Sequence, residues 1–293
     1  MLVAVHATTV NDYDWSMVIG RPHIYRLFFG LFRPRRPIPG MELAGVVAAL
    51  GPKAMKWRVG DKVYGDTSNG GPSTFAEFVA VPEDELRRMP PGLTFVEAAA
   101  IPHALELAYQ AVVEIGRLKD GEHVLINGAG GGVGTFAFQL AKRTGCTVWG
   151  VDTGEKLHAM TAVGFDRVID YKQQDFTQLG GRFDLVVDTK TKRSAGELAR
   201  ALTPAGRYVT VGGDTGRLIA LLFARWFGKR DMHIVALKSN KNLDELAPLL
   251  TSGALRPVID GPYEFDELPR LIRRFGEGSH TGKVVARVVA EEA

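Results

Sequence analysis

The stretch His123-Val124-Leu125-Ile126-Asn127-Gly128-Ala129-Gly130-Gly131-Gly132-Val133-Gly134-Thr135 decides the fold. An apolar run leads into a turn crowded with glycine, and Phe136-Ala137-Phe138-Gln139-Leu140-Ala141 opens a helix directly behind it. Such a turn lets backbone N–H groups approach a pyrophosphate at the helix N-terminus, where orphan donors and the helix dipole favour anions. Gly131 and Gly134 take the second and third glycine positions of a dinucleotide fingerprint, flanking Gly132 and Val133. Ala129 stands where the first glycine often is. A second apolar strand ends at Val151-Asp152, about where an acid that binds ribose is expected. No Gly-Lys-Ser/Thr follows the turn, so a P-loop and nucleotide hydrolysis are disfavoured.

Working outward, strands at 123–127, 147–151, 167–170, 185–188 and 208–212 alternate with helices at 135–144, 155–163 and 195–202. Apolar strands separated by amphipathic helices predict a parallel sheet covered on both faces. Residues 107–240 therefore read as a doubly wound α/β domain. Residues 1–106 read differently, as short strands (2–7, 44–50, 60–65, 75–81) with little helix, before a helix over 95–116 that Thr94 caps. Residues 241–293 change pattern again. A helix at 242–252, a strand at 256–259, a helix at 265–274 and a strand at 283–289 predict a tail that packs back onto the first region.

A length of 293 residues fits two domains, and 45% hydrophobic with 24% charged residues is ordinary globular composition. Lys and Arg number 36 against 33 Asp and Glu, a net charge of +3, which points to neither a nucleic-acid nor a membrane partner. No apolar run approaches the roughly 20 residues of a membrane span, and residues 1–10 do not read as a secretory leader. The single cysteine, Cys146, excludes an internal disulfide and a four-cysteine zinc site, and a cytoplasmic location is expected. Arg21, Arg26, Arg33, Arg35 and Arg36 crowd one acid-free stretch, either a solvated loop or an electropositive rim. The apolar runs 27–32 and 218–227 fit core packing, a hydrophobic substrate mouth or a homodimer contact.

Several further motifs run the length of the chain. They are Val10-Asn11 with Asp14-Trp15, Pro39-Gly40-Met41-Glu42-Leu43-Ala44-Gly45-Val46, Val59-Gly60-Asp61-Lys62-Val63-Tyr64-Gly65 and Phe75-Ala76-Glu77-Phe78-Val79. Beyond these lie Ala98-Ala99-Ala100-Ile101-Pro102, Val168-Ile169-Asp170-Tyr171 and Gly282-Lys283-Val284-Val285. With the glycine turn, they make the chain resemble the zinc-independent branch of the medium-chain dehydrogenase/reductases, the quinone oxidoreductase group. The resemblance implies a GroES-like β-barrel catalytic domain, split around a Rossmann domain, with the active site in the cleft between them. It implies an NAD(P)H-dependent, metal-free transfer of hydride to a small hydrophobic quinone or α,β-unsaturated carbonyl. The rival reading is a dinucleotide-binding regulatory or interaction protein with little turnover.

Residue by residue, the ligand positions of zinc-dependent relatives match Asn11, Met41 and His103. An amide, a thioether and one imidazole do not suit zinc, so no zinc is expected. The resemblance brings Asn11 and Tyr13 to the acceptor side as hydrogen-bond donors, with the proton open to Tyr13 or solvent and Tyr13 equally open to ring stacking or packing, and it gives His103 a substrate-contacting role. For His103 a plain hydrogen-bonded helix-end role stands beside that one. Lys156 and Tyr171 match the pair that holds the 2′-phosphate in NADPH-using relatives, while Asp152, with Glu155 nearby, opposes a phosphate. With Asp152 taken as exposed and free to turn into water, NADP(H) is expected in preference to NAD(H). Gly212 and Lys283 complete the expected cofactor set. Two departures stand out. Leu105-Glu106-Leu107 replaces a Gly-Leu-Thr-like stretch. Relatives also carry about 30 residues before the segment matching 2–7, so an open barrel edge is expected.

Overall fold

The computed structural model describes residues 1–289 other than 22, 24–25, 27–29, 31, 34, 36, 72, 181, 214 and 228–230. Most of the apolar run 27–32 therefore lies outside the described residues. The chain forms two compact units, one from Met1–Glu106 with Lys238–Ala293 and the other from Leu107–Leu237.

The first unit is built on β1 (Leu2–Val10), β2 (Glu42–Ala49), β3 (Lys62–Asp66), β4 (Phe78–Ala80) and β5 (Arg87–Arg88). The second contributes β6 (His123–Asn127), β7 (Thr147–Asp152), β8 (Arg167–Asp170), β9 (Phe183–Asp188), β10 (Leu202–Thr210) and β11 (Asp231–Ile234). The chain then returns to the first unit with β12 (Ile259–Glu264) and β13 (Lys283–Arg287).

The first unit's sheet runs β12-β13-β1-β2-β3-β5, with β4 also on β1. Alternation along β1 buries Val3 and Val5 against Leu43, Val47, Val63 and Leu86. Val10, Leu268, Leu271 and Val284 form a second apolar cluster. The open edge expected at the start of the chain is not at β1. Leu2–Ala4 pairs with β4 on one side and β2 on the other, while Thr9 and Val10 pair with Val285 and Val284 of β13. The sheet's ends are β5 and β12 instead.

The second unit's sheet is wholly parallel, in the order β11-β10-β9-β6-β7-β8. Chain order reverses between β6 and β9, which is the doubly wound arrangement that binds ligands beyond the strands' carboxyl ends. Registers Asn127↔Asp188, Thr210↔Asp188 and Asp152↔Asp170 line up five polar strand ends on that edge.

Some local readings shift. The helix expected over 95–116 is broken into Phe95–Ala99 and Pro102–Tyr109, followed by a π-helical Gln110–Ile115. Pro102 has no N–H to continue the first helix. Thr94 does cap it, with Glu97 closing a capping box. Helix Asp12–Ile19 stands in a region read as short strands and loops with little helix. The strand sought at 256–259 begins only at Ile259, because its place is set by pairing with Lys283 rather than by its own composition. In helix Thr215–Phe227, Leu221 is buried but Ile219, Leu222 and Phe223 are exposed, so core packing accounts for only part of that run. No helix among the described residues is long and apolar enough to cross a membrane.

Candidate functional site

In the second unit, β6 feeds the glycine turn and helix Gly132–Arg143. Gly131 is the N-cap and brings no side-chain cap, so the first-turn N–H groups of Gly132, Val133 and Gly134 have no capping side chain to donate to. A Cβ on Gly134 would lie 2.5 Å from the Gly128 carbonyl oxygen and 2.6 Å from Ala129 Cα, so only glycine lets the helix pack this close. Ala129 is buried and donates its N–H to Val151 (3.1 Å). This cradle fits a dinucleotide pyrophosphate.

Asp152 ends β7 beside the turn. It is 5% exposed, which corrects the expectation of a carboxylate free to turn into water. Its Oδ2 accepts from Gly130 N–H and its Oδ1 from Thr153 N–H, both at 2.9 Å. Lys156, equally buried, brings its ammonium within 3.6 Å of Oδ1. The acid and the base that were set against each other over the 2′-position are therefore an ion pair. Tyr171 follows β8, is 45% exposed, and donates its N–H to the Asp152 carbonyl (3.2 Å). Gly212 lies past β10, its N–H on the Thr210 hydroxyl (3.2 Å).

In the first unit, strand ends gather a buried polar cluster around Glu42, which is 0% exposed. Glu42 Oε2 accepts from Thr9 Oγ1 (2.5 Å), Asn11 Nδ2 (2.7 Å) and Lys283 Nζ (2.5 Å), and its Oε1 accepts from His103 N–H (2.6 Å). Lys283 also donates to Asn11 Oδ1 (2.6 Å), and Asn11 Nδ2 reaches Thr9 Oγ1 at 3.3 Å. Two expectations change here. The Asn11 amide has its oxygen and both hydrogens engaged inside the cluster, so it has no donor left for a substrate. Lys283, expected among the cofactor contacts, is buried with its ammonium on Glu42 and Asn11.

His103 lies in helix Pro102–Tyr109 with Nδ1 2.8 Å from Asp66 Oδ2. Burial alone would lower the imidazole pKa, but the Asp66 hydrogen bond and charge, helped by Glu42, hold it above the ordinary value. Burial pushes the other way on Asp66, whose bonds to His103 and Ser68 bring its carboxyl below the usual range. The Asp66 carboxylate thus favours the protonated form of the His103 ring across their hydrogen bond. Tyr13, half-exposed on helix Asp12–Ile19, has its phenol pKa raised by burial and by the charges of Asp66 and Asp12, so it keeps its proton. Glu106, the charged residue of the departing Leu-Glu-Leu stretch, is buried and accepts from Asn242 N–H (2.6 Å) at the start of helix Leu243–Thr251.

Sequence reading quoted Glu42 only as part of a motif and passed over Asp66, Asp188 and Thr191. An acid inside an apolar strand, as at Glu42, was the available signal.

Against known proteins, residues 1–91 match the alcohol dehydrogenase GroES-like domain and residues 163–285 match a family described as zinc-binding dehydrogenase. A 2-methylene-furan-3-one reductase of Solanum lycopersicum is 32% identical over 97% of this chain and 71% of its own length. An NADPH-dependent alkenal/one oxidoreductase of Arabidopsis thaliana chloroplasts is 29% identical over the same shares. The solved quinone oxidoreductase of Coxiella burnetii superposes with a TM-score of 0.87, at 27% identity, over 99% of this chain and 90% of its own. The chain belongs to the medium-chain dehydrogenase/reductase family of oxidoreductases.

The family description names zinc, and the residues here do not fit it. Met41 offers a thioether, the Asn11 oxygen already holds the Lys283 ammonium, and His103 Nδ1 is engaged by Asp66. Among the described residues no group of three or more His, Cys, Asp or Glu is placed to hold a metal ion.

Proposed function

We propose that the chain is an NADPH-preferring, zinc-independent reductase of α,β-unsaturated carbonyls or quinones. The observation that carries this reading is the glycine cradle, in which a helix start without a side-chain cap packs against a turn where Gly134 tolerates no Cβ. When bound, the nicotinamide supplies a hydride. The first-turn N–H groups of 132–134 bind the pyrophosphate, and Asp152, Lys156 and Tyr171 take the adenosine ribose. Because Lys156 is paired with Asp152, the ribose subsite is close to neutral, which supports a preference for NADPH over NADH of less than about tenfold.

In the first unit, Tyr13 and the His103–Asp66 pair are the groups that can hold a proton for the reduced acceptor. Tyr13 keeps its phenolic proton, and the Asp66 carboxylate on Nδ1 favours a protonated His103 ring. The names of the relatives support turnover over a purely regulatory role. Steady-state NADPH oxidation with a panel of enones and quinones, repeated after dialysis against a chelator, tests the reading. Turnover that survives chelation supports it. Cofactor binding with no turnover on any acceptor would select the regulatory role, and activity restored only by zinc would overturn the metal-free mechanism.

A further inference from the structure

Asp188 ends β9 at 0% exposure, and among the described residues it makes no ion pair. Four neutral donors surround it instead. Its Oδ1 accepts from Asn127 Nδ2 (2.8 Å) and from the N–H groups of Lys190 (2.8 Å) and Thr191 (3.0 Å). Its Oδ2 accepts from the Tyr208 hydroxyl (2.8 Å). A buried carboxylate with no counter-charge is costly, and this one is tied almost wholly to loop backbone and strand ends.

The loops it ties are specific. Thr191 has φ of 39°, a strained conformation for a β-branched residue, and Asp188 holds its amide there. The Thr191 hydroxyl in turn donates to the Gly212 carbonyl (2.6 Å). The Asp188 carbonyl accepts from Val211 N–H and from the Thr210 hydroxyl, both at 3.0 Å. At Gly213, a Cβ would lie 2.5 Å from Thr191 Cβ, so the 211–213 loop presses directly on the strained turn. Asn127, the last residue before the glycine turn, is joined to both through Asp188 and through Thr189 N–H (3.0 Å).

The sheet order says what these loops face. A dinucleotide crosses the carboxyl edge where chain order reverses, here between β6 and β9. With its pyrophosphate on the turn after β6 and its adenosine ribose at Asp152 after β7, its other half runs over the ends of β9 and β10. We infer that Asp188 is the positioning residue for the nicotinamide half: it holds the strained 189–191 turn and the 211–213 loop in the shape that receives it. This rests on the dinucleotide reading above.

The test compares two ligands by calorimetric titration, with thermal melts in parallel. One is NADPH, and the other is 2′-phospho-ADP, which keeps the adenosine, 2′-phosphate and pyrophosphate but lacks the nicotinamide nucleoside. Asp188→Asn should weaken NADPH roughly tenfold, the scale of one lost charge-assisted hydrogen bond, and leave 2′-phospho-ADP within about twofold. Tyr208→Phe should act in the same direction, by about threefold, and decides the matter if Asp188→Asn does not melt cooperatively. Lys156→Ala should weaken both ligands. The inference fails if the Asp188 and Tyr208 variants bind NADPH as wild type does. It also fails if they lose both ligands equally, which is what a merely structural role would give. Wild type that binds neither ligand would refute the dinucleotide reading itself, and the inference with it.

Discussion

Replacing Lys283 with methionine keeps the side chain's reach and removes its charge. The consequence can be worked from the cluster around Glu42. The carboxylate is fully buried, the lysine side chain is 6% exposed, and Nζ lies 2.5 Å from Oε2. Removing one partner of such a pair strands the other charge in a poor solvent, at a cost of about 3–5 kcal/mol. Thr9, Asn11 and the His103 N–H remain as donors to Glu42, so the lower end applies, about 3 kcal/mol. For a chain of this size that corresponds to a fall of roughly 6–12 °C in melting temperature. The double variant Glu42→Gln/Lys283→Met leaves no unpaired charge and should recover at least half of the loss. Thermal and urea unfolding of wild type, both single variants and the double variant measure the coupling directly. A Lys283→Met protein within about 0.5 kcal/mol of wild type, or a double variant no better than the single, would refute the reasoning.

Three further outcomes are expected. Lys156→Ala should abolish or invert the NADPH preference, read as the ratio of NADPH to NADH dissociation constants; an unchanged ratio would leave Tyr171 or Asp152 in control. Gly134→Ala should abolish dinucleotide binding and destabilise the fold by about 1–3 kcal/mol, since its Cβ would meet backbone atoms that cannot swing away. Equilibrium titration and melting would both have to match wild type for the close-packing argument to fail. Burial, helped by Glu42, pushes the Asp14 carboxyl up to about 7 from 3.8, against the Asn11 and Gly40 N–H groups and Lys283. The folded chain therefore binds this proton more tightly than the unfolded chain does. The stability it adds is complete below about pH 4 and is lost as pH rises through about 7. Melting temperature should fall less between pH 5 and pH 8 in Asp14→Asn than in wild type, and equal falls would remove Asp14 as the source.

What could be read from the sequence was local. Strand His123–Asn127 and the glycine turn were legible because they carry their own signals: apolar continuity and residues that only a tight turn requires. The Thr94–Glu97 capping box spans four residues and was legible for the same reason. The motifs spread along the chain pointed to the family, although none of them shows what its side chains touch.

Tertiary structure alone decided the roles of the charged residues. Lys283 and Glu42 lie 241 positions apart and meet because β13 and β2 flank β1, a pairing that no window of sequence contains. Asn11 looked like a donor to substrate until that pairing engaged its amide on every side. Asp152 and Lys156 looked like rivals over one phosphate, and burial made them partners. Asp188 was one more acid closing an apolar strand until three loops converged on it. A hydrophobic pattern reports burial, which is a property of the segment. The work a buried charge does depends on the donors and counter-charges that other segments bring to it, and those are set only when the strands pair.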